Sequence, residues 1–184
     1  MSERREGIRR DLLLQAEQSI DERIDRWLEV SHQPLIGLHH FSAASTECLQ
    51  LYRDGYFIGC IMVAQAVCEG IGSFVAARNV IRQASGEKKQ EMVRRMNLLG
   101  IVSTSFCEAF DRIQGSFRND FHHMNPCVDQ RDVRRISRAN ILDLAAIENE
   151  VFEVDVVDGA IRPVRPKYWD TLPDGTVPAY LRCV

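Results

Sequence analysis

Six consecutive residues, Arg118-Asn119-Asp120-Phe121-His122-His123, place several reactive side-chain types within two helical turns. Histidine titrates near neutral pH and can take or give a proton. Arginine offers a planar, permanently charged fork for a phosphate oxygen. Asparagine can orient an imidazole by hydrogen bonding. Together they suit RNA cleavage through the RNA's own 2′-hydroxyl, which needs a base, an acid and charge stabilisation at phosphorus, and no metal. The same residues could equally form a solvated polar face.

The segment lies near the end of what reads as one helix, from about 105 to 124. Ser105-Phe106-Cys107-Glu108 has the pattern of a capping box, and Pro126 follows the far end. With Phe117 as reference and a step of 100° per residue, Phe106, Phe110, Ile113, Phe121 and Met124 fall within about 40° of it, as a core stripe. Arg118 then points about 100° away, Asn119 about 160°, His122 about 140°, and His123 about 120° on the other flank. Arg118 and His122 are i, i+4 neighbours, as are Asn119 and His123, so Asn119 could orient His123. Arg118 and His123 diverge by about 140°. Reaching one phosphate with both requires a bend or an interface between two copies. Asp120, near the core edge, is expected to anchor the helix by a salt bridge or hydrogen bond.

Arg131, Arg134, Arg135 and Arg138 share one helical face; they form either an RNA-backbone track or a solvated face paired with acids. Lys88, Lys89, Arg94 and Arg95 are a weaker copy. His39-His40 and His122-His123 suggest a metal, but no H-x3-H spacing exists, so neither metal nor cofactor is expected. Gly70-Ile71-Gly72 sits inside a helical pattern and is expected to allow close helix packing.

The positioning elements are mainly helices, and the expected fold is all-α, about five helices with a C-terminal β-hairpin. A first helix covers about 3–30, with Leu13, Ile20, Ile24, Trp27 and Leu28 recurring at three- and four-residue steps. A loop carrying Pro34 follows, to about 40. A long apolar helical region spans about 43–80, broken at Asp54-Gly55. A third helix follows Ser85-Gly86 and stops near Gly100, and a fifth covers about 129–151. Then Phe152-Glu153-Val154-Asp155-Val156 alternates with period two, and Asp158-Gly159 marks a hairpin turn. The tail from Pro166 reads as irregular. The expected organisation is a bundle over 1–151, with hairpin and tail (152–184) packed on the same domain.

Composition narrows the function classes. An apolar fraction of 45% with 27% charged residues fits a folded globular chain rather than a disordered one. Net charge is −3, so polyanion binding needs a local basic patch. Cys48, Cys60, Cys68, Cys107, Cys127 and Cys183 form no CxxC pair, and the first four lie in apolar helical stretches. This points to reduced thiols in a cytoplasmic protein. The run Tyr56 to Ala77 carries Gln65 and Glu69, which fit a central bundle helix better than a membrane span. The N-terminus lacks a signal-peptide apolar stretch.

Arg118-Asn119-x3-His123 resembles the R-x4–6-H motif of HEPN domains (higher eukaryotes and prokaryotes nucleotide-binding), with a polar residue after the arginine. The stretch from Gly55 to Glu69 is similar to that family's apolar second helix with its embedded acid. The resemblance covers about 45–150. It implies a metal-independent endoribonuclease, a toxin or defence effector, working as a homodimer whose two motifs meet. By that resemblance Arg118 stabilises the phosphate, His123 is the acid/base, Asn119 orients it, and His122 is a further candidate. It also implies RNA as substrate and an antitoxin or other regulatory protein as partner. The alternative within the family is a catalytically silent module that binds RNA, a nucleotide or a protein. Toxin members often carry a tyrosine two residues after the histidine; here that position is Asn125.

Overall fold

The computed structural model describes residues 2–174 and 176–182, and of Ser2 and Arg118 the backbone alone. The chain is mostly helical: α1 (Ser2–Leu28), α2 (Ser42–Asp54), α3 (Phe57–Arg78), α4 (Lys89–Leu98), α5 (Thr104–Gln114), α6 (Arg118–His122) and α7 (Val133–Phe152). Strands β1 (Leu35–Gly37), β2 (Val154–Val157), β3 (Ala160–Pro163) and β4 (Ala179–Leu181) complete it, with 3₁₀ turns at Pro126–Gln130 and Pro166–Tyr168.

The expected break between α2 and α3 falls at Gly55, whose φ of 87° lets its N–H cap the carbonyls of Leu51 and Tyr52. α3 runs through the middle of the bundle, against α2, α4, α5, α6 and α7. It is long and apolar enough to cross a membrane by composition, yet Cys60, Ile61, Ala64, Val67, Cys68, Ile71 and Val75 are buried within the protein. Gly72 meets α5 closely: a Cβ there would lie 2.7 Å from the Phe110 ring. The expectation of tight packing at this glycine therefore has a specific neighbour.

The C-terminal hairpin forms as its sequence indicates. β2 and β3 pair antiparallel, Val157 opposite Ala160, and Asp158 and Gly159 both take positive φ in the turn. Two segments read as irregular are instead ordered against each other. β1, in the expected loop, pairs with β4, in the expected tail. Arg182, just after β4, donates to both carboxylate oxygens of buried Glu148 on α7 at 2.7 Å and to Ser45 Oγ on α2 at 2.6 Å. A guanidinium taken out of water needs such partners. Tyr168 and Trp169 of the tail are buried in the main core beside Phe152.

The largest departure is in the expected fourth helix. It begins at a different cap, with Ser103 Oγ accepting the Phe106 N–H at 3.0 Å. It also stops at Gln114. Gly115, Ser116 and Phe117 interrupt it, with Phe117 in the left-handed region at φ 58°, and α6 starts anew. The single core stripe therefore splits. Phe106, Phe110, Ile113 and Phe121 are buried, whereas Phe117 is 40% and Met124 64% exposed. The directions computed from Phe117 on one continuous helix do not carry across this break.

Candidate active site

α6 is five residues long and bracketed by two non-glycine residues with positive φ, Phe117 at 58° and Met124 at 47°. Such residues are sterically disfavoured and persist only where the surroundings hold them. Two sets of contacts do so here. The first is apolar: Phe121, 1% exposed, packs with Ile61, Val128 and Ile136 in a small core of its own. The second is a buried polar network at the break. Gln65 Nε2 on α3 donates to Ser116 Oγ at 2.9 Å, and Asn140 Nδ2 on α7 donates to the same oxygen at 3.0 Å. Ser116 Oγ–H in turn donates to the Ile113 carbonyl. Gln65 also reaches the carbonyls of Ile113 and Ser116, and Gln114 donates back to the Gln65 carbonyl. The helix break thus exchanges α-helical bonds for bonds to two neighbouring helices.

Asp120 anchors the segment as expected. It accepts from Asn125 Nδ2 at 3.1 Å and Arg131 at 3.0 Å. These bonds, Asn125's first, hold its carboxyl below the usual range. Asn125, two residues after His123, therefore pins the chain where it leaves α6. The Arg131 guanidinium lies 3.8 Å from the Phe117 ring centroid, so ion pair and ring together fix the arginine.

Asn119, His122 and His123 are all exposed. The side chain of Arg118 falls outside the described residues. The His123 N–H donates to the Asn119 carbonyl at 3.1 Å; no side-chain hydrogen bond joins Asn119 to His123. Asn119 and Asp120 line a polar cleft of about 590 Å³. Its other walls include Glu69 on α3, Phe117, and Glu87, Lys88 and Lys89 around the start of α4. The histidines stand outside its lining. Among the described residues no three His, Cys, Asp or Glu side chains converge as a metal site would require. His39 is elsewhere, with Nε2 3.1 Å from the Tyr168 carbonyl and its ring against Phe74.

The four arginines of the expected track each stand beside an acid. Arg131 meets Asp120, Arg134 meets Glu29 at 2.7 Å, Arg138 meets Glu29 at 3.5 Å, and Arg135 lies 3.8 Å from Asp132. Arg135 is the most exposed, its side chain 80% accessible. Glu29 also accepts from the buried Tyr52 hydroxyl. That bond, with Arg134, keeps the Glu29 carboxyl below its usual range, while burial and Glu29 push Tyr52 up to about 12. On α4, Arg94 and Arg95 are paired with Asp111 and Glu87.

Sequence reading missed Gln65, Ser116 and Asn140 as positioning residues. The available signals were a glutamine inside an apolar helix and the Gly115-Ser116 step before the motif. It also kept Lys88 and Lys89 apart from the motif, which the cleft joins to Asn119. No protein-family model, curated protein or solved structure matches the chain.

Proposed function

We propose that this chain is a metal-independent endoribonuclease of HEPN type that acts as a cytoplasmic homodimer, a toxin or defence effector under the control of a partner protein. The observation that carries the reading is the motif helix itself. Arg118-Asn119-x3-His123 spans a short α6 and the His123 that caps it, held apart from α5 at the cost of two left-handed residues, and it presents Asn119, His122 and His123 to solvent. Strain retained around exposed acid/base side chains fits a functional segment better than an ordinary surface turn.

In this reading His123 takes the proton of the 2′-hydroxyl. The freed oxygen attacks phosphorus, and the P–O5′ bond breaks as a second acid, the His123 of the other copy or His122, protonates the leaving oxygen. The products are a 2′,3′-cyclic phosphate and a 5′-hydroxyl. Arg118 stabilises the charge on the phosphorane. Lys88 and Lys89 are the cations of a cleft that also holds Glu69, Glu87 and Asp120, and they meet a flanking phosphate beside Asn119. Arg135 and its neighbours on α7 meet phosphates further along.

The test is cleavage of RNA by the purified protein in excess chelator, with His123→Ala and Arg118→Ala beside it. Cleavage that persists in chelator and disappears in both variants, with their circular dichroism unchanged, supports the reading. An intact protein that binds RNA without cutting it replaces this with the silent binding module.

A further inference from the structure

Phe117 carries two costs that another residue would avoid. Its φ of 58° lies where glycine is favoured, and its ring is 40% exposed. The ring is nevertheless held in one place. The Phe117 carbonyl accepts the Asp120 and Phe121 N–H groups at 3.0 and 3.2 Å, and its own N–H donates to the Gly115 carbonyl at 2.8 Å. The Arg131 guanidinium, itself tied to Asp120, lies 3.8 Å from the ring centroid. Phe117 also lines the polar cleft of about 590 Å³, whereas Arg131 does not. The guanidinium therefore covers one side of the ring, and the cleft meets another.

The rest of the cleft fits a flat, neutral ring with hydrogen-bonding edges. The amides of Gln83, Gln90, Gln114 and Asn119 line it, and an amide offers both donors and an acceptor. Gln90 and Asn119 make no side-chain hydrogen bond among the described residues, so theirs are available to a ligand. The charges are mixed. Lys88 and Lys89 stand among Glu69, Glu87 and Asp120, with Glu87 paired to Arg95 and Asp120 to Arg131. That balance suits a single phosphate at the lysines and opposes a run of them. An exposed aromatic face, amides and a cation in one cleft are the means by which single-stranded nucleic acid is held base by base. We infer that this cleft seats one nucleobase, stacked on Phe117, with its edge on the amides of Gln90 and Asn119 and its phosphate at Lys88 and Lys89. The strained backbone at Phe117 then has a use, since it turns the ring out of the core and into the cleft. A ring fixed in advance loses little freedom on binding. Asn119, on α6 and in the cleft, joins the seat to the reacting groups, so the base held is the one beside the cut. The ligand class rests on the nucleic-acid reading of α6; the seat itself does not require cleavage.

The test is equilibrium binding by the full chain. The probes are a short single-stranded oligodeoxynucleotide, which has no 2′-hydroxyl to be cut through, an abasic oligomer of the same length and charge, and adenosine 5′-monophosphate. Wild-type protein should prefer the base-bearing oligomer about 5- to 150-fold, the range for one base stacked on an aromatic ring. Phe117→Leu, which keeps an apolar side chain without an aromatic face, should lose most of that preference with circular dichroism and salt dependence unchanged. Phe117→Tyr should retain it. Phe117-dependent competition by adenosine 5′-monophosphate as strong as by the oligomer sustains the seat for a free nucleotide; weaker competition sustains it for a base within a chain. Equal binding of the two oligomers by the wild type, a preference that Phe117→Leu leaves intact, or no binding of any probe overturns the inference. His123-dependent RNA cleavage with no role for Phe117 would overturn it and leave the nuclease reading standing. Phe117-dependent base binding without cleavage would sustain it and remove the nuclease reading.

Discussion

Ser116→Ala is the smallest change that should disconnect the motif helix from the bundle. The hydroxyl removed accepts from Asn140 Nδ2 at 3.0 Å and Gln65 Nε2 at 2.9 Å. Asn140 has no other hydrogen bond for that amide among the described residues and is 3% exposed, so its donor is left buried and unmade. Such a group costs about 1–3 kcal/mol. Gln65 keeps only its longer contacts to the carbonyls of Ile113 and Ser116, at 3.3 and 3.4 Å, and loses a further fraction. The total is about 2–3 kcal/mol, well above the ordinary surface substitution. Part of that should appear locally, because the same network holds Phe117 in its left-handed conformation. The Asp120 and Phe121 N–H groups donate to the Phe117 carbonyl at 3.0 and 3.2 Å and report on the junction. If 2 kcal/mol is lost there, their opening equilibrium rises roughly 30-fold, since about 1.4 kcal/mol is tenfold. Hydrogen exchange with denaturant titration measures both quantities. RNA cleavage should fall with them while α3 and α7 amides stay protected relative to the new global stability. A destabilisation below about 0.5 kcal/mol, with unchanged exchange at Asp120 and Phe121, would refute the argument that this network fixes the helix break.

Three further predictions come from other parts of the molecule. Gly72→Ala puts a methyl 2.7 Å from Phe110 in a buried helix contact and should cost about 1–3 kcal/mol in chemical denaturation; a neutral result would mean that the ring moves freely. Tyr52, raised to about 12 in the folded chain from 10.0, contributes stability that is complete below pH 10 and lost as pH rises through 12. Tyr52→Phe should remove that alkaline dependence and cost about 1–3 kcal/mol at neutral pH, because Glu29 loses its buried donor; an unchanged alkaline profile would contradict it. Arg134→Ala with Arg135→Ala should weaken RNA binding and flatten its salt dependence. It should also loosen the α1 end through Glu29, and an unchanged salt slope would assign the α7 arginines to ion pairing alone.

Local signals in the sequence were strong where the backbone demands a special residue. Asp158-Gly159 marked the hairpin turn, and Asp54-Gly55 the step between α2 and α3, because both need positive φ. The break before the motif was hidden. The apolar spacing of Phe106, Phe110, Ile113, Phe117 and Phe121 continues through it, and phenylalanine is a poor marker of a left-handed position. What stops the helix is a tertiary network from Gln65 and Asn140, which lie 51 residues before and 24 after Ser116. The pairing of β1 with β4 was unreadable for the same reason: two three-residue strands acquire meaning only when the fold brings them together. The stripe on α1 was legible as a face, but periodicity alone does not say whether the chain itself covers it. Of the candidate segment, the anchoring role of Asp120 was legible. The cleft shared by Asn119, Lys88 and Lys89 was not, since α4 and α6 are distant in sequence.

The central claim, that Arg118 and His123 cut RNA without a metal, is tested most directly by the ends it leaves. Wild-type protein should cleave RNA in excess chelator and yield 2′,3′-cyclic phosphate and 5′-hydroxyl termini, and His123→Ala should yield none. Cleavage abolished by chelator and restored by a divalent cation, or cleavage retained in full by His123→Ala, would contradict it.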